Sequence, residues 1–458
     1  MAGTLNLPGF SLTPSSTPVA LSSNYLTNFN FTAQYMPDIH EEEFAKYGNR
    51  SIGSFLRNLQ AEIPLESDLV KWAEEGRLHT KYTLCTHATF IAPGTEIITL
   101  PVGSTNNMRL NQVVLMSGSL GAEARGIIRA VTTTTFTVAY YAAAAVSPFA
   151  VAETVTVFVY GSEFQKGTVG MIGGNSSDTS IYSTKPVIIK DKFIVSGSDM
   201  AQIGWIKVQT DGGAGYLWYL KSQSDTRMRY EDQLEMMMIE HVPAALGSGA
   251  AAYLGGGSAG TSGLFDSVAT RGNVWSAGNP TTLGDWDLVT ARLDKQGAIC
   301  ENAVFQNRSF SNDVDDMLAN LSSTPGTSYG MFNNDKDMAL NLGFSSFRRG
   351  SYEFYKSDWK YLNDAALRGG LIGGKVSGLL IPAGTKSVYD EVMGKSVTRP
   401  FLHMRYRKSQ REDRKLKTWI TGSAGGAETS DLDAMEVNYL SERCLVTLGA
   451  NNFVVFKG

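Results

Sequence analysis

The sequence runs to 458 residues, longer than one hydrophobic core usually serves, so about two or three domains are expected. It is 43% hydrophobic and only 18% charged, with 47 glycines, which points to a globular chain whose surfaces are largely covered by something else. A net charge of −4 gives the whole molecule no reason to grip a polyanion, no apolar run is long enough for a membrane helix, and the N-terminus lacks the basic and apolar regions of a signal peptide.

The chain opens on a stretch rich in Ser, Thr, Asn and Pro. Phe10, Leu21, Tyr25, Phe29, Phe31 and Tyr35 are too many apolar anchors for a solvated tail, so this stretch reads as an arm that orders by lying on a surface. A helix is expected from Ser51-Ile52-Gly53-Ser54-Phe55-Leu56. A second, capped by Ser67 or Asp68, would carry Leu69, Val70, Trp72 and Ala73 as its apolar stripe. Six short runs follow, at 88–92, 96–101, 112–116, 126–131, 135–141 and 154–160, rich in β-branched and aromatic residues. They predict a small barrel or sandwich, inserted between stretches of different character.

Residues 162–213 hold two more extended runs, 185–190 and 193–196, which predict a long projecting β-hairpin. The longest helix is expected over 215–242, with Leu220, Met228, Leu234, Met238 and Val242 near one face and Pro243 ending it. A Gly/Ala/Ser-rich loop, 244–263, comes next. Further helices are expected from Asp285 through Trp286, Val289 and Leu293; from Ser311 or Asn312 through Val314, Met317, Leu318 and Leu321; from Ser357 to Leu367; and from Ser387. Strands are expected at 376–382, 401–406, 415–421, 445–448 and 453–456.

Motifs that carry chemistry fall short. Gly369-Gly370-Leu371-Ile372-Gly373-Gly374-Lys375 has the glycines and lysine of a phosphate loop, but Val376 stands where a Ser or Thr must hold the metal. Two G-x-S-x-G matches, around Ser258 and Ser328, lack the strand before and helix after that a nucleophile elbow needs. His40, His79, His87, His241 and His403 show no i, i+4 pairing, and His79, Cys85 and His87 form only a loose cluster at a strand edge, so neither metal nor cofactor is expected. Cys85, Cys300 and Cys444 are far apart, which fits free thiols in a reducing compartment. The one strong charge run is Arg405, Arg407, Lys408, Arg411, Arg414, Lys415 and Lys417, relieved by Glu412 and Asp413. It reads as a solvated hairpin whose basic face meets acidic groups on a neighbour rather than DNA, with Asp38, Glu41, Glu42 and Glu43 as candidate partners. No catalytic residue is expected, and the chain does not read as an enzyme.

The order of elements (polar arm, helix, projecting hairpin, long helix, mixed α/β region, closing strands) resembles the major capsid protein of tailed bacteriophages with the Hong Kong 97-type fold. Two stretches, Arg50-Ser51-Ile52 through Leu65-Glu66-Ser67-Asp68 and Trp72 through Leu78-His79-Thr80-Lys81-Tyr82, are similar to the narrower crAss-like phage group. The resemblance implies an α+β fold with an N-terminal arm at 1–49, a helical segment at 50–86 leading into an extended loop, and an inserted all-β domain at 87–161. It then implies the extended-loop hairpin at 162–204, a peripheral domain with its spine helix at 205–284, an axial domain at 285–398 and returning strands at 399–458. It also implies assembly into hexamers and pentamers in the bacterial host cytoplasm, around double-stranded DNA touched non-specifically. Partners would be a portal protein and decoration or auxiliary capsid proteins, with no membrane. Inter-subunit contacts are expected at Phe10, Tyr25, Phe29, Phe31, Tyr35, Glu41, Glu42, Glu43, Lys185, Lys190, Arg405, Arg407, Lys408, Arg411 and Arg414. Some relatives cross-link lysine to asparagine, for which Lys166, Lys185, Lys190 or Lys192 would serve, though no acid is placed to assist. With Met1 in place, no cleaved scaffold segment is expected. A tail-sheath subunit, an encapsulin-like compartment and a serine hydrolase built on Ser258 or Ser328 are the alternatives.

Overall fold

The computed structural model describes residues 5–7, 10–12, 62–91, 94–143, 145–171, 173, 179–202, 208–210, 213–215, 218–254, 260–323, 345–383, 385–390, 395–426 and 428–458. Most of the expected arm, with Tyr25, Phe29, Phe31, Tyr35 and Glu41 to Glu43, lies outside these residues. So do the helix expected from Ser51 and both Ser258 and Ser328. The chain divides into two compact units, one of Met1–Arg50, Lys192–Met228 and Ile420–Val437, the other of Ser51–Asp191, Arg229–Trp419 and Asn438–Gly458.

Strands β1 (Leu5–Leu7) and β2 (Phe10–Leu12) form a small antiparallel hairpin that pairs Phe10 with Leu7. β3 (Glu62–Leu65) and β4 (Val70–Glu75) follow, and β4 corrects the helix expected from Ser67. Val70, Trp72 and Glu74 turn inward while Lys71, Ala73 and Glu75 are exposed. That period of two overrides the apparent helical stripe.

β5 (Lys81–Ile91), β6 (Thr95–Thr99), β7 (Gln112–Gly118), β8 (Glu123–Val131), β9 (Thr135–Tyr140) and β10 (Thr154–Ser162) close into an antiparallel barrel in the order β10-β5-β6-β9-β8-β7, with β10 also pairing β7. Alternate residues of these strands, among them Ile98, Val114, Met116, Ile128, Phe136, Val138, Val155 and Val157, fill the interior. A barrel this small is a packed core, not a channel. Gly126 is required: a Cβ there would sit 2.3 Å from Val138 Cγ1.

β11 (Thr179–Thr184) and β12 (Val187–Ser196) follow, and the runs expected at 185–190 and 193–196 as two arms of a hairpin fall along the single strand β12. β11 pairs antiparallel with β4, and β12 lies at the edge of a different sheet. Pro186 in the connection between them removes a ladder donor and fixes its own φ, so the chain changes sheet there. Helix α1 (Gly197–Met200) is capped by the Ser196 hydroxyl, and a short hairpin, β13 (Val208–Thr210) with β14 (Gly213–Gly215), precedes the long helix α2 (Trp218–Glu240). Its 23 residues span roughly 35 Å. Tyr230, Leu234 and Met238, four residues apart, are buried, whereas Val242 falls beyond the helix and is exposed.

Two helices that the sequence pattern did not announce, α3 (Gly249–Tyr253) and α4 (Leu264–Arg271), then lead to β15 (Asn273–Trp275). Helix α5 (Leu283–Gln296) begins ahead of Asp285, because Thr282 and Asp285 form a reciprocal capping box; Gly297, at φ +68°, ends it. After β16 (Glu301–Gln306), helix α6 (Arg308–Ser323) likewise begins before Ser311, because Asn307 Oδ1 accepts the Phe310 amide at 2.8 Å. β17 (Ser346–Arg349) and β18 (Tyr352–Asp358) take in Ser357, so the helix expected from it shrinks to α7 (Lys360–Asn363) and a 3-10 turn at Arg368–Gly370. β19 (Val376–Pro382) lies where expected. Around Ser387 the structure has a hairpin, β20 (Thr385–Asp390) with β21 (Lys395–Pro400), that pairs Val388 with Val397 and replaces the expected helix. β22 (Leu402–Arg407), β23 (Lys417–Gly422), β24 (Ala434–Thr447) and β25 (Val454–Lys457) close the chain.

Two sheets organise these strands. The first runs β12-β24-β22-β3, with β23 also on β24; β22 is parallel to β3 and antiparallel to β24. The second runs β15-β25-β19-β16-β18-β17, with β15 parallel to β25 and β16 parallel to β18. Helices α5 and α6 pack on it through Trp286, Val289, Leu293, Phe310, Val314 and Met317. Trp286 is the centre of that core, with the Phe347 and Phe354 rings each 4.9 Å away. Trp286→Ala is expected to lower the free energy of unfolding by about 3–5 kcal/mol in denaturant titration, and Trp286→Phe by clearly less.

Candidate interaction surface

Among the described residues, no group of three metal-ligating side chains exists. The glycine run at 369–375 sits between a 3-10 turn and β19, so no helix N-terminus faces it. A shallow hollow lined by Asp287, Thr290, Asp294, Arg349 and Tyr352 has its charges already spent. Arg349 grips Asp287 with two bonds of 2.6 and 2.7 Å, holding that carboxyl below the usual range, and the Tyr352 hydroxyl donates to Asp294 at 2.7 Å.

The basic run is a local hairpin, but its flanking strands do not pair with each other; both pair with β24. The Lys408–Asp413 bridge and the Arg414 amide, donating to Arg407 O at 2.9 Å, extend it past β22. Within the chain it has acidic partners of its own. Lys408 meets Asp413 at 3.0 Å, Lys417 meets Glu412 at 2.7 Å, and Arg414 meets Glu442 at 2.9 Å. Lys415 pairs with Glu62 and Arg407 with Asp68. The Lys415 amide, then Lys408, hold the Asp413 carboxyl below its ordinary value. Arg405 is half-buried beside His403, and Arg411 is exposed at the tip. Of the two lysines singled out in the sequence, Lys185 is half-buried and Lys190 exposed on β12.

A cluster that the sequence did not reveal joins distant segments. The Arg271 guanidinium lies over the rings of Tyr182, at 4.4 Å, and Trp72, at 5.5 Å, pairs with Glu74 at 3.2 Å and donates to Thr447 O at 3.2 Å. Glu74 also accepts the Trp72 indole N–H at 2.9 Å and the Gly449 amide at 3.0 Å. Its one legible trace was the inward alternation of Val70, Trp72 and Glu74.

What the described surface offers is apolar. Val242, Leu246, Tyr253 and Leu254 stand exposed along 242–254, and Ile181 and Ile188 along β11 and β12. Leu371 and Ile372 project from the glycine run, Ile372 being 97% exposed. They are held out by order: Arg368 pairs with Glu240, stacks over the Phe265 ring at 4.7 Å and donates to Gly374 O at 3.1 Å, while Tyr361 donates to Glu240 at 2.7 Å.

Burial pushes the Cys85 thiol up to about 11 and Cys444 up to about 12, whereas Cys300 is exposed. Alkylation of the folded protein at pH 8 is therefore expected to label Cys300 alone, as peptide mass spectrometry would show. Arg271→Ala is expected to cost about 2 kcal/mol in denaturant unfolding and Arg271→Lys about half as much, since lysine keeps the charge but not the planar fork.

Comparison with known proteins finds no matching family model and no matching curated protein. Solved structures do match. The mature capsid of bacteriophage PhiM1 is 7% identical over 92% of this chain and 91% of its own, with a TM-score of 0.41. The capsid of a native GTA particle is 9% identical over 95% and 98%, with a TM-score of 0.40. An encapsulin complex from Synechococcus elongatus PCC 7942 is 11% identical over 61% and 77%, with a TM-score of 0.33.

Proposed function

We propose that this chain is the major capsid protein of a tailed bacteriophage, a Hong Kong 97-type subunit that assembles as hexamers and pentamers into an icosahedral shell around double-stranded DNA. The observation that carries the reading is the large apolar side chains in the open: Leu246 is 96% exposed, Tyr253 91% and Ile372, on the segment braced by Arg368, 97%. Single exposed apolar residues are ordinary on a monomer, but groups of them on well-braced segments mark surfaces meant to be covered. The covering partner is a second copy of this chain. The sequence resemblance supports the same assignment, including its crAss-like wording.

In this reading residues 1–49 are the arm, α2 is the spine helix, the six-stranded sheet with α5 and α6 forms the axial domain, and β22 to β25 are the returning strands. The barrel is the inserted domain, its strands reaching from residue 81 to 162 rather than 87 to 161. Assembly is physical: many modest apolar contacts, each at roughly 25 cal/mol per Å² buried, sum to a stable shell while letting misplaced subunits leave. A net charge of −4 suits a wall that does not grip its DNA. A portal protein and decoration proteins are the further partners, the virion is the location, and no reaction is catalysed.

Negative-stain microscopy of the expressed chain is expected to show closed shells; tubes would favour a tail sheath, and a persistent monomer at high concentration would overturn assembly altogether. The pair Leu246→Asp and Tyr253→Asp is expected to leave thermal unfolding nearly unchanged while abolishing shells in the same images.

A further inference from the structure

Both chain connections of the barrel leave from one end, where Lys81 pairs with Phe158 and Thr80 O accepts the Val159 amide at 3.2 Å. The other end is plugged by the β9–β10 connection, whose Phe149 is part of the barrel core. Two buried carboxylates hold that connection down. Glu153, 5% exposed, accepts the Leu120 amide at 2.6 Å and the Ala150 amide at 2.9 Å. It fits only because residue 118 is glycine, where a Cβ would lie 2.1 Å from Glu153 Oε1. Glu96, 1% exposed, accepts from the Ser147 hydroxyl at 2.9 and 3.0 Å, from the Tyr140 hydroxyl, and faces His87 Nδ1 at 2.8 Å.

The other nitrogen of the same ring, His87 Nε2, lies 2.8 Å from the carbonyl oxygen of Ala150. A carbonyl can only accept, and the Glu96 carboxylate, already taking protons from Ser147 and Tyr140, also accepts here. A neutral imidazole has one N–H and can satisfy one of these oxygens; only the imidazolium donates to both. We infer that His87, Glu96 and the Ala150 carbonyl form a proton-operated latch that clamps residues 145–152 over the free end of the barrel.

When the proton leaves, the charge-assisted bond to Glu96 keeps the remaining N–H on Nδ1. Nε2 then turns a lone pair on the Ala150 oxygen in a place where His87 is only 8% exposed, and the loop contact becomes repulsive. Ala152, held at φ +64°, adds backbone strain that lifting relieves. The docked loop binds one proton more than the lifted loop, so docking strengthens as pH falls and weakens as pH rises. The groups facing His87 are Glu96 on β6, Tyr140 on β9, and Ser147, Phe149 and Ala150 on the loop, with Glu153 engaged by two amides. On β10, Thr154 and Val155 stand opposite Thr86 and Cys85 and bring no charge. Tyr140 stays a donor throughout, since burial and Glu96 hold its hydroxyl well above its ordinary value. Val146 and Val151, 73% and 97% exposed, ride on this loop, so what the barrel presents at its free end depends on the proton.

Hydrogen exchange with mass spectrometry on the full chain tests the latch, with rates corrected for the intrinsic pH dependence of exchange. Between about pH 5.5 and 8.5 the protection of amides in 145–152 is expected to fall, while that of β7 holds. His87→Gln, with one donor group and one acceptor, is expected to show weak protection at both pH values, and His79→Gln, at an exposed site outside the network, the full step. Equal protection of 145–152 at the two pH values in the unmodified chain overturns the proposal, and so does a step retained in His87→Gln. If His87→Gln does not fold, the unmodified chain and His79→Gln, with β7 as internal standard, still decide. Shell formation plays no part in the readout, so the latch and the capsid reading fail separately.

Discussion

The Arg271 guanidinium does at one point what the fold needs done between distant segments. β24 belongs to one sheet and β25 to another, and only the turn around Gly449 joins them. Arg271 takes hold of the last carbonyl of β24, at Thr447, and Glu74 takes the Gly449 amide, while Trp72 and Tyr182 enclose the cation from β4 and β11. A planar, permanently charged group suits this place, because it can sit over the rings and still present a fork of donors at its rim. The β4–β11 ribbon, as two strands that alone are marginal in water, is held by this joint together with the packing of Val70 and Trp72 against Cys444, Val446 and Leu448.

This joint also explains which parts of the fold could be read from the sequence. The barrel strands were legible because each buries one face, so Ile98, Phe136 and Val155 fall on alternate residues and turn signals separate the runs. Helices α5 and α6 were legible for the same local reason, and only their caps, Thr282 and Asn307, were missed by a few residues. β4 was misread because Leu69, Val70, Trp72 and Ala73 fit a helical stripe equally well. What decides the matter is Tyr182 and Arg271, more than a hundred and nearly two hundred positions away. The two runs at 185–190 and 193–196 were read as separate arms because Asp191 and Lys192 interrupt the apolar pattern, but they make one strand, β12, whose sheet partner local patterning cannot name. Of the expected contact residues, those in the arm other than Phe10 lie outside the described structure. The basic run has two of its acidic partners, Glu412 and Asp413, beside it in sequence, but two others, Glu62 and Glu442, lie far off and could not be foreseen.

That self-sufficiency of charge bears on how the molecule would meet its own kind. Lys408, Arg414, Lys415 and Lys417 already have partners, so recruiting them to another subunit would mean breaking pairs first. The apolar groups at 242–254 and 371–372 have no such prior engagement with water or charge. Contacts made through them would strengthen with temperature over the range where the hydrophobic effect does, and would respond little to salt.

The barrel enters and leaves the rest of the chain side by side, with Lys81 opposite Phe158. A segment whose two ends already touch can be lengthened, exchanged or lost without stretching anything outside it, because the gap to be rejoined is the width of one strand pair. Residues 81–162 are therefore close to a detachable cassette, tied to their flanks by a few bonds such as those of Thr80 with Val159 and of Glu163 with Asn111 and Tyr141.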